Sequence, residues 1–257
     1  FLLYVAFAAP NDPHKGYGVA PQEFVDMYPP DQMPLPPNYL PNHPFDNGDM
    51  RDRDEMLAPF PRTEDEVRLQ LAGYYSVISY MDQQIGRIVQ ALKDNGQYDN
   101  TVIVFASDHG LAKGSHGLMG MQNLYEHSVR VPLVLAGPGV PEGKTSDALV
   151  YLHDIFPSLC DLAGIEIPEK VEGQSLVPII HGQTGQARDS LFTAYRNIHR
   201  AVRDDRWKLI RYPAIDKTQL FDLKSDPHEM SDLAEDPSYA SQIDEMMELL
   251  RRWQREV

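Results

Sequence analysis

A chain of 257 residues is long enough to bury the core of one large α/β domain and to carry a small appendage. Its 23 basic and 38 acidic side chains leave a net charge of −15, which argues against nucleic acid as a partner and against an electrostatic membrane anchor. One cysteine excludes an internal disulfide framework and a multi-cysteine metal site.

The chain opens on Phe1-Leu2-Leu3-Tyr4-Val5-Ala6-Phe7-Ala8-Ala9, an apolar run without a basic flank. It is far shorter than the roughly 20 residues of a membrane span, and it lacks the positive region of a signal peptide. It reads instead as a β-strand buried on both faces. A chain that begins inside a core strand is expected to be the C-terminal part of a larger protein, with an upstream N-terminal segment as its partner. Residues 10–62 follow as a proline-rich loop holding twelve of the 21 prolines. So long a stretch without periodicity reads as a functional lid or as a surface excursion.

Thr63-Glu64-Asp65-Glu66 has the pattern of a capping box. Val67, Leu71, Tyr74, Ile78, Met81, Ile85, Ile88 and Leu92 recur at spacings of three and four, which predicts a long amphipathic helix stopping at Gly96. Thr101–Ala106 reads as a buried strand that ends in Ser107-Asp108-His109-Gly110, and a glycine-rich loop runs on to Met121. Val131–Ala136 reads as a further strand, and Asp154–Ala163 as a helix closed by Gly164 that buries Cys160. This alternation predicts an α/β fold with a largely parallel sheet covered by helices. Leu191–Tyr195, Arg200–Arg203, Trp207–Tyr212 and Gln219–Leu223 then read as short strands of an antiparallel sheet, with a hairpin turn at Asp204–Arg206. An amphipathic helix runs from about Tyr239 to the end. The expected division is 1–183 for the main α/β part and 184–257 for a small C-terminal α+β subdomain.

Asp108 and His109 sit at the end of a strand, where open α/β sheets place their ligands. A carboxylate offers hard oxygen and an imidazole offers nitrogen, a pair suited to a divalent metal. Taken alone, a strand-end aspartate can equally cap the next turn. Lys113, His116 and His127 lie within twenty residues of Asp108, on backbone rich in glycine. His199, Arg200 and Arg203 read either as groups that reach toward a substrate or, the favoured reading, as a paired strand surface.

Ser107-Asp108-His109-Gly110, Gly114-Ser115-His116-Gly117-Leu118-Met119-Gly120 and Gln122-Asn123-Leu124-Tyr125-Glu126-His127-Ser128-Val129-Arg130-Val131-Pro132 together closely resemble the type I sulfatase family of the alkaline phosphatase superfamily. Met81-Asp82-Gln83-Gln84-Ile85-Gly86-Arg87-Ile88 resembles its long helix. Trp207-Lys208-Leu209-Ile210 and Leu220-Phe221-Asp222-Leu223 through Asp226-Pro227 resemble its small C-terminal subdomain. The resemblance implies an alkaline-phosphatase-like fold and a hydrolase whose substrate is a sulfated small molecule or glycan. It implies calcium as the cofactor, with zinc or manganese less favoured, held by Asp108 and His109. It also implies a formylglycine nucleophile made from a Cys/Ser-x-Pro-x-Arg motif, and a periplasmic or secreted location.

The sequence departs from that pattern at three places. The histidine of the family's Pro-His-Asp-Pro segment falls on Asn11, and the loop lysine before Gln122 falls on Met121. His14 and Lys113 are the nearby groups that could replace them. His14, Lys113 and His116 are therefore the catalytic candidates, and Asn11, Met121 and His127 the substrate-binding ones. Third, the nucleophile motif does not occur: Cys160 is followed by Asp161-Leu162-Ala163. The formylglycine is thus expected in the upstream segment, and the chain alone is expected to be inactive. Two other readings stay open. One is a metal-dependent phosphodiesterase or phosphonate monoester hydrolase of the same superfamily, which also carries Asp-His-Gly. The other is a catalytically degenerate pseudo-sulfatase that binds glycans.

Overall fold

Proline fixes φ and removes a backbone donor, so the region after Pro10 folds mainly as turns. It still makes a short helix, α1 (Gln22–Val25), and single 3-10 turns at Pro30–Gln32 and Glu55–Leu57. Phe24, Met33, His43 and Ala58 within it are buried. The computed structural model describes residues 1–14 and 20–256. Residues 15–19 of the proline-rich loop and the last residue of the expected C-terminal helix lie outside the described residues. The chain folds as two compact units, Phe1–Asp99 with Leu111–Met121, and Asn100–Gly110 with Gln122–Val257.

The spine of the first unit is helix α2 (Glu64–Asp94), with Thr63 at its N-cap. The Thr63 hydroxyl oxygen accepts from the Glu66 backbone N–H at 3.2 Å. Val67, Leu71 and Ala72 on its first turns bury against Met33, with Tyr28, Leu35 and Tyr39 packed around them. Gly73 lets the chain cross closely: a Cβ there would lie 1.9 Å from the carbonyl oxygen of His14. Burial fades along the helix, and Ile85, Ile88 and Leu92 are only half-buried.

Two expectations change in the structure. Phe1–Ala9 forms no strand; Phe1 is 86% and Tyr4 88% exposed. A strand exists only where a neighbour accepts and donates its backbone hydrogen bonds, and among the described residues none pairs with this run. The second change is strand direction. Strand β1 (Ile103–Ala106) pairs with β2 (Leu133–Ala136) antiparallel, Ile103 opposite Ala136 and Ala106 opposite Leu133. Apolar strand composition shows burial but carries no information about direction, and the chain returns from β1 to β2 by way of the short helix α3 (Glu126–Val129).

The second unit continues through α4 (Ile155–Leu162), where Cys160 is a buried free thiol, and α5 (Val177–Ile180). Its C-terminal part is an antiparallel meander of β3 (Leu191–Tyr195), β4 (His199–Arg203), β5 (Trp207–Tyr212) and β6 (Lys217–Asp222). The β4–β5 turn closes where the sequence predicts it. The Asp204 carboxylate accepts from the N–H of Arg206 at 2.8 Å and of Trp207 at 2.6 Å. Helix α6 (Ala240–Glu256) lays Met246 and Leu250 on Val202, Leu209 and Leu220 of the sheet. Each such aliphatic side chain contributes about 1.5–3 kcal/mol by leaving water. No helix among the described residues is long and apolar enough to cross a membrane.

Candidate active site

In the first unit the loop 111–121 folds back on itself. Gly114 donates to the Leu118 carbonyl at 2.7 Å and Ala112 to that of Gly120 at 3.0 Å. The reversal uses four left-handed residues, Lys113, Gly114, His116 and Gly117. That conformation is free for glycine and costs the other two about 1 kcal/mol or more each. Gly117 is also needed for space, because a Cβ there would lie 2.3 Å from the backbone of Asn42 and His43. Glu55 holds the far side of the loop. Its carboxylate accepts from the N–H of Met119 at 3.0 Å and of Gly120 at 2.9 Å, and it pairs with Arg62 at 2.5 Å. Arg62 is fully buried and donates to the carbonyls of Ala58 and Gly117 as well.

The two candidates His14 and Lys113 meet on a residue that the motifs do not single out. The Asp12 carboxylate lies 2.7 Å from Nδ1 of His14 and accepts from Nζ of Lys113, 101 positions away. All three side chains are buried. Burial pushes the Asp12 carboxyl up, but the His14 contact and the Lys113 charge outweigh it and hold the carboxyl below the usual range. Burial likewise pulls the Lys113 ammonium below its ordinary value, with Asp12 opposing. Nε2 of His14 donates to the Pro10 carbonyl at 2.6 Å, and Tyr74 of α2 packs edge-on against the ring.

His116 sits inside the same loop. The Asn38 side-chain amide donates to its Nε2 at 3.1 Å, its own N–H donates to the Asn38 carbonyl at 2.8 Å, and its carbonyl accepts from His43 at 2.8 Å. Asn11 is exposed, with its side-chain oxygen accepting from the Asp12 N–H at 2.9 Å, and Met121 is half-buried. Asp12, Glu55 and Arg62 are far from the loop in sequence, and no spacing rule joins them to it. A histidine and a lysine near a known motif are the only signals the sequence carries for this cluster.

In the second unit Asp108 and His109 follow β1 directly. Asp108 is 86% exposed in its side chain. Gly110 permits this turn because a Cβ there would lie 2.0 Å from the His127 carbonyl oxygen; its N–H donates to the Ser128 carbonyl at 2.9 Å. Nδ1 of His109 donates to the Gly110 carbonyl at 3.1 Å, which leaves Nε2 with its lone pair, 3.6 Å from the Asp108 carboxylate. An exposed carboxylate and a lone-pair nitrogen this close fit two ligands of one divalent cation. Among the described residues no third His, Cys, Asp or Glu joins them in a metal-binding group.

The segment after this pair is held by a buried charge network. Glu126 takes Arg203 at 2.7 Å and Lys208 at 3.0 Å, Lys208 also meets Glu229 at 2.8 Å, and Glu229 accepts from the Glu126 N–H at 2.7 Å. Burial raises the Glu126 carboxyl, but Lys208 and Arg203 outweigh it and keep it low, whereas burial wins at Glu229 and pushes it up. His127 is half-buried and stacks on Tyr125 at 5.7 Å. Arg203 is thus engaged in the network, and His199 is buried between Tyr195 and Tyr212, as a paired strand surface requires.

Two family models match the chain: Sulfatase over residues 1–165, and the C-terminal part of N-sulphoglucosamine sulphohydrolase over residues 114–256. A choline-sulfatase of Rhizobium meliloti (strain 1021) is 37% identical over 247 residues, covering 92% of this chain and 47% of the relative. A protein solved in complex with its substrate D-glucosamine-2-N,6-O-disulfate is similar with a TM-score of 0.69 and 29% identity, over 81% of this chain and 43% of that one. The phosphonate monoester hydrolase of Agrobacterium radiobacter is similar with a TM-score of 0.75 and 27% identity, over 91% and 54%. The chain spans about half the length of the curated relatives it matches.

Proposed function

Because the chain belongs to the sulfatase family of the alkaline phosphatase superfamily, we propose that the protein hydrolyses organic sulfate monoesters, with sulfated carbohydrates as the substrate class. The observation that carries this reading is the strand-end pair: an exposed Asp108 carboxylate beside a His109 whose free nitrogen faces it. The carbohydrate class is supported by the substrate of the glucosamine-disulfate complex.

Asp108 and His109 are assigned to a divalent cation, calcium before zinc or manganese. When bound, the cation draws charge from the oxygens of the transferring group. His14 and Lys113 are assigned to the acid side of the reaction, where a positioned proton donor and a fixed positive charge assist departure of the leaving alcohol. Asn11, Met121 and His127 are assigned to substrate contact. His116, a catalytic candidate by sequence, is assigned to loop positioning through Asn38. The nucleophile, a formylglycine from a Cys/Ser-x-Pro-x-Arg motif, is assigned to a segment of the protein outside these 257 residues, and family resemblance supports a periplasmic or secreted location.

A second reading, phosphonate monoester hydrolysis, is favoured by one observation, the similarity to the Agrobacterium radiobacter enzyme. In the complete protein, Asp108→Ala should lower bound divalent metal and turnover of an aryl sulfate together. Unchanged metal stoichiometry would remove Asp108 from the metal site. Faster turnover of a phosphonate monoester than of the sulfate would replace the first reading by the second, and binding of a sulfated sugar without any turnover would replace both by a glycan-binding role.

A further inference from the structure

The strand-end pair is built against one residue that is not itself a ligand. Gly110 spends both of its polar backbone groups on its neighbours. Its carbonyl accepts from Nδ1 of His109 at 3.1 Å, and its N–H donates to the Ser128 carbonyl at 2.9 Å. The first contact sets the direction of the imidazole, and the second ties the turn to α3. The fit is close, since a Cβ on Gly110 would lie 2.0 Å from the His127 carbonyl oxygen. The direction of His109 therefore depends on where α3 sits.

Helix α3 has only four residues, a single turn that is too short to be stable by itself. Its anchor is the C-terminal sheet of the same unit. Arg203 of β4 and Lys208 of β5 stand directly opposite each other in the ladder. The Glu126 carboxylate accepts from both, at 2.7 and 3.0 Å. Lys208 also lies 2.8 Å from the Glu229 carboxylate, which accepts from the Glu126 N–H at 2.7 Å. Sliding α3 by one residue along the sheet would separate these partners and leave buried charge without its counter-charge, a costly state. An apolar contact is non-directional and would tolerate such a slip.

We propose that Glu126 is a positioning residue for the Asp108–His109 pair: clamped between Arg203 and Lys208, it sets the register of α3 and, through the Ser128 carbonyl and Gly110, the direction of His109. The geometric half of this proposal stands on the contacts above alone. Its consequence for a bound cation rests on the metal reading of Asp108 and His109.

The test compares two variants of the complete protein, Glu126→Gln and Leu250→Ala, which perturb opposite faces of the same sheet. Amide exchange of the peptide that carries Gly110, followed by mass spectrometry after chelator treatment, should quicken in Glu126→Gln and keep the wild-type rate in Leu250→Ala. Calcium titrated by calorimetry into the chelator-treated proteins should bind about 10–100-fold more weakly in Glu126→Gln, the usual loss when groups that orient metal ligands are removed. Leu250→Ala should bind it with wild-type affinity. Unchanged exchange of that peptide in Glu126→Gln overturns the proposal, and so does an unchanged calcium affinity. Equal weakening in both variants also overturns it, because lost stability alone would then suffice. If Glu126→Gln does not fold, Arg203→Met carries the same comparison, since Arg203 is the more exposed partner, 20% against 1% for Lys208. A wild type that takes up no calcium, zinc or manganese overturns the metal reading and this consequence with it, and is recognised before any variant is made.

Discussion

Among single residues, Glu55 is one whose loss the geometry makes costly. Its carboxylate is the counter-charge of a fully buried Arg62 and accepts from two loop N–H groups. Replacing one member of a buried pair leaves the other charge uncompensated, at a cost of about 3–5 kcal/mol. Glu55→Gln should therefore lower the urea midpoint by that equivalent. Adding Arg62→Met should recover part of the loss, since both charges are then gone. Equal midpoints for the wild type and Glu55→Gln would show that Arg62 finds another partner. Sequence could not single out this pair. A glutamate among Asp52, Asp54 and Glu55 looks like any solvated acidic stretch until the fold brings Met119 and Gly120 over it.

The elements divide the same way between what neighbours in sequence decide and what distant residues decide. Caps and periodicity act within one or two turns, so the start of α2 at Thr63 and the four C-terminal strands were legible within a residue or two. Partnership acts across the chain. For that reason Phe1–Ala9, apolar enough for a strand, forms none, and β1 takes β2 in the antiparallel sense. The strand-end position of Asp108 was legible because it follows from β1 alone. The meeting of His14 and Lys113 on Asp12 was not, because two remote segments create it. Helix α6 offers the cleanest energetic check. Leu250 is buried against the sheet, and Leu250→Ala should cost about 2–5 kcal/mol in a denaturant titration. Arg252, exposed on the same helix, should change stability by less than about 0.5 kcal/mol when replaced by alanine. Similar losses for the two would mean that α6 does not pack as described.

Over these 257 residues together, the net charge of −15 sets a long-range field that repels nucleic acid and other polyanions. A different whole-molecule property follows from two phenols. Tyr125 and Tyr212 are both buried, and both donate to the Gln219 side-chain oxygen, at 2.8 and 3.1 Å. Burial pushes both well above the ordinary tyrosine value. A phenol raised in the fold stabilises it at lower pH and withdraws that support as pH climbs past the unfolded value of about 10. In an alkaline titration followed by phenolate absorbance, the exposed members of the 13 tyrosines should ionise first and reversibly. Tyr125 and Tyr212 should ionise only together with loss of the sheet's circular dichroism. Substituting both by phenylalanine should delete that late step alone. The shared glutamine thus gives the C-terminal sheet its own colorimetric indicator, a built-in readout of unfolding that needs no label and no substrate.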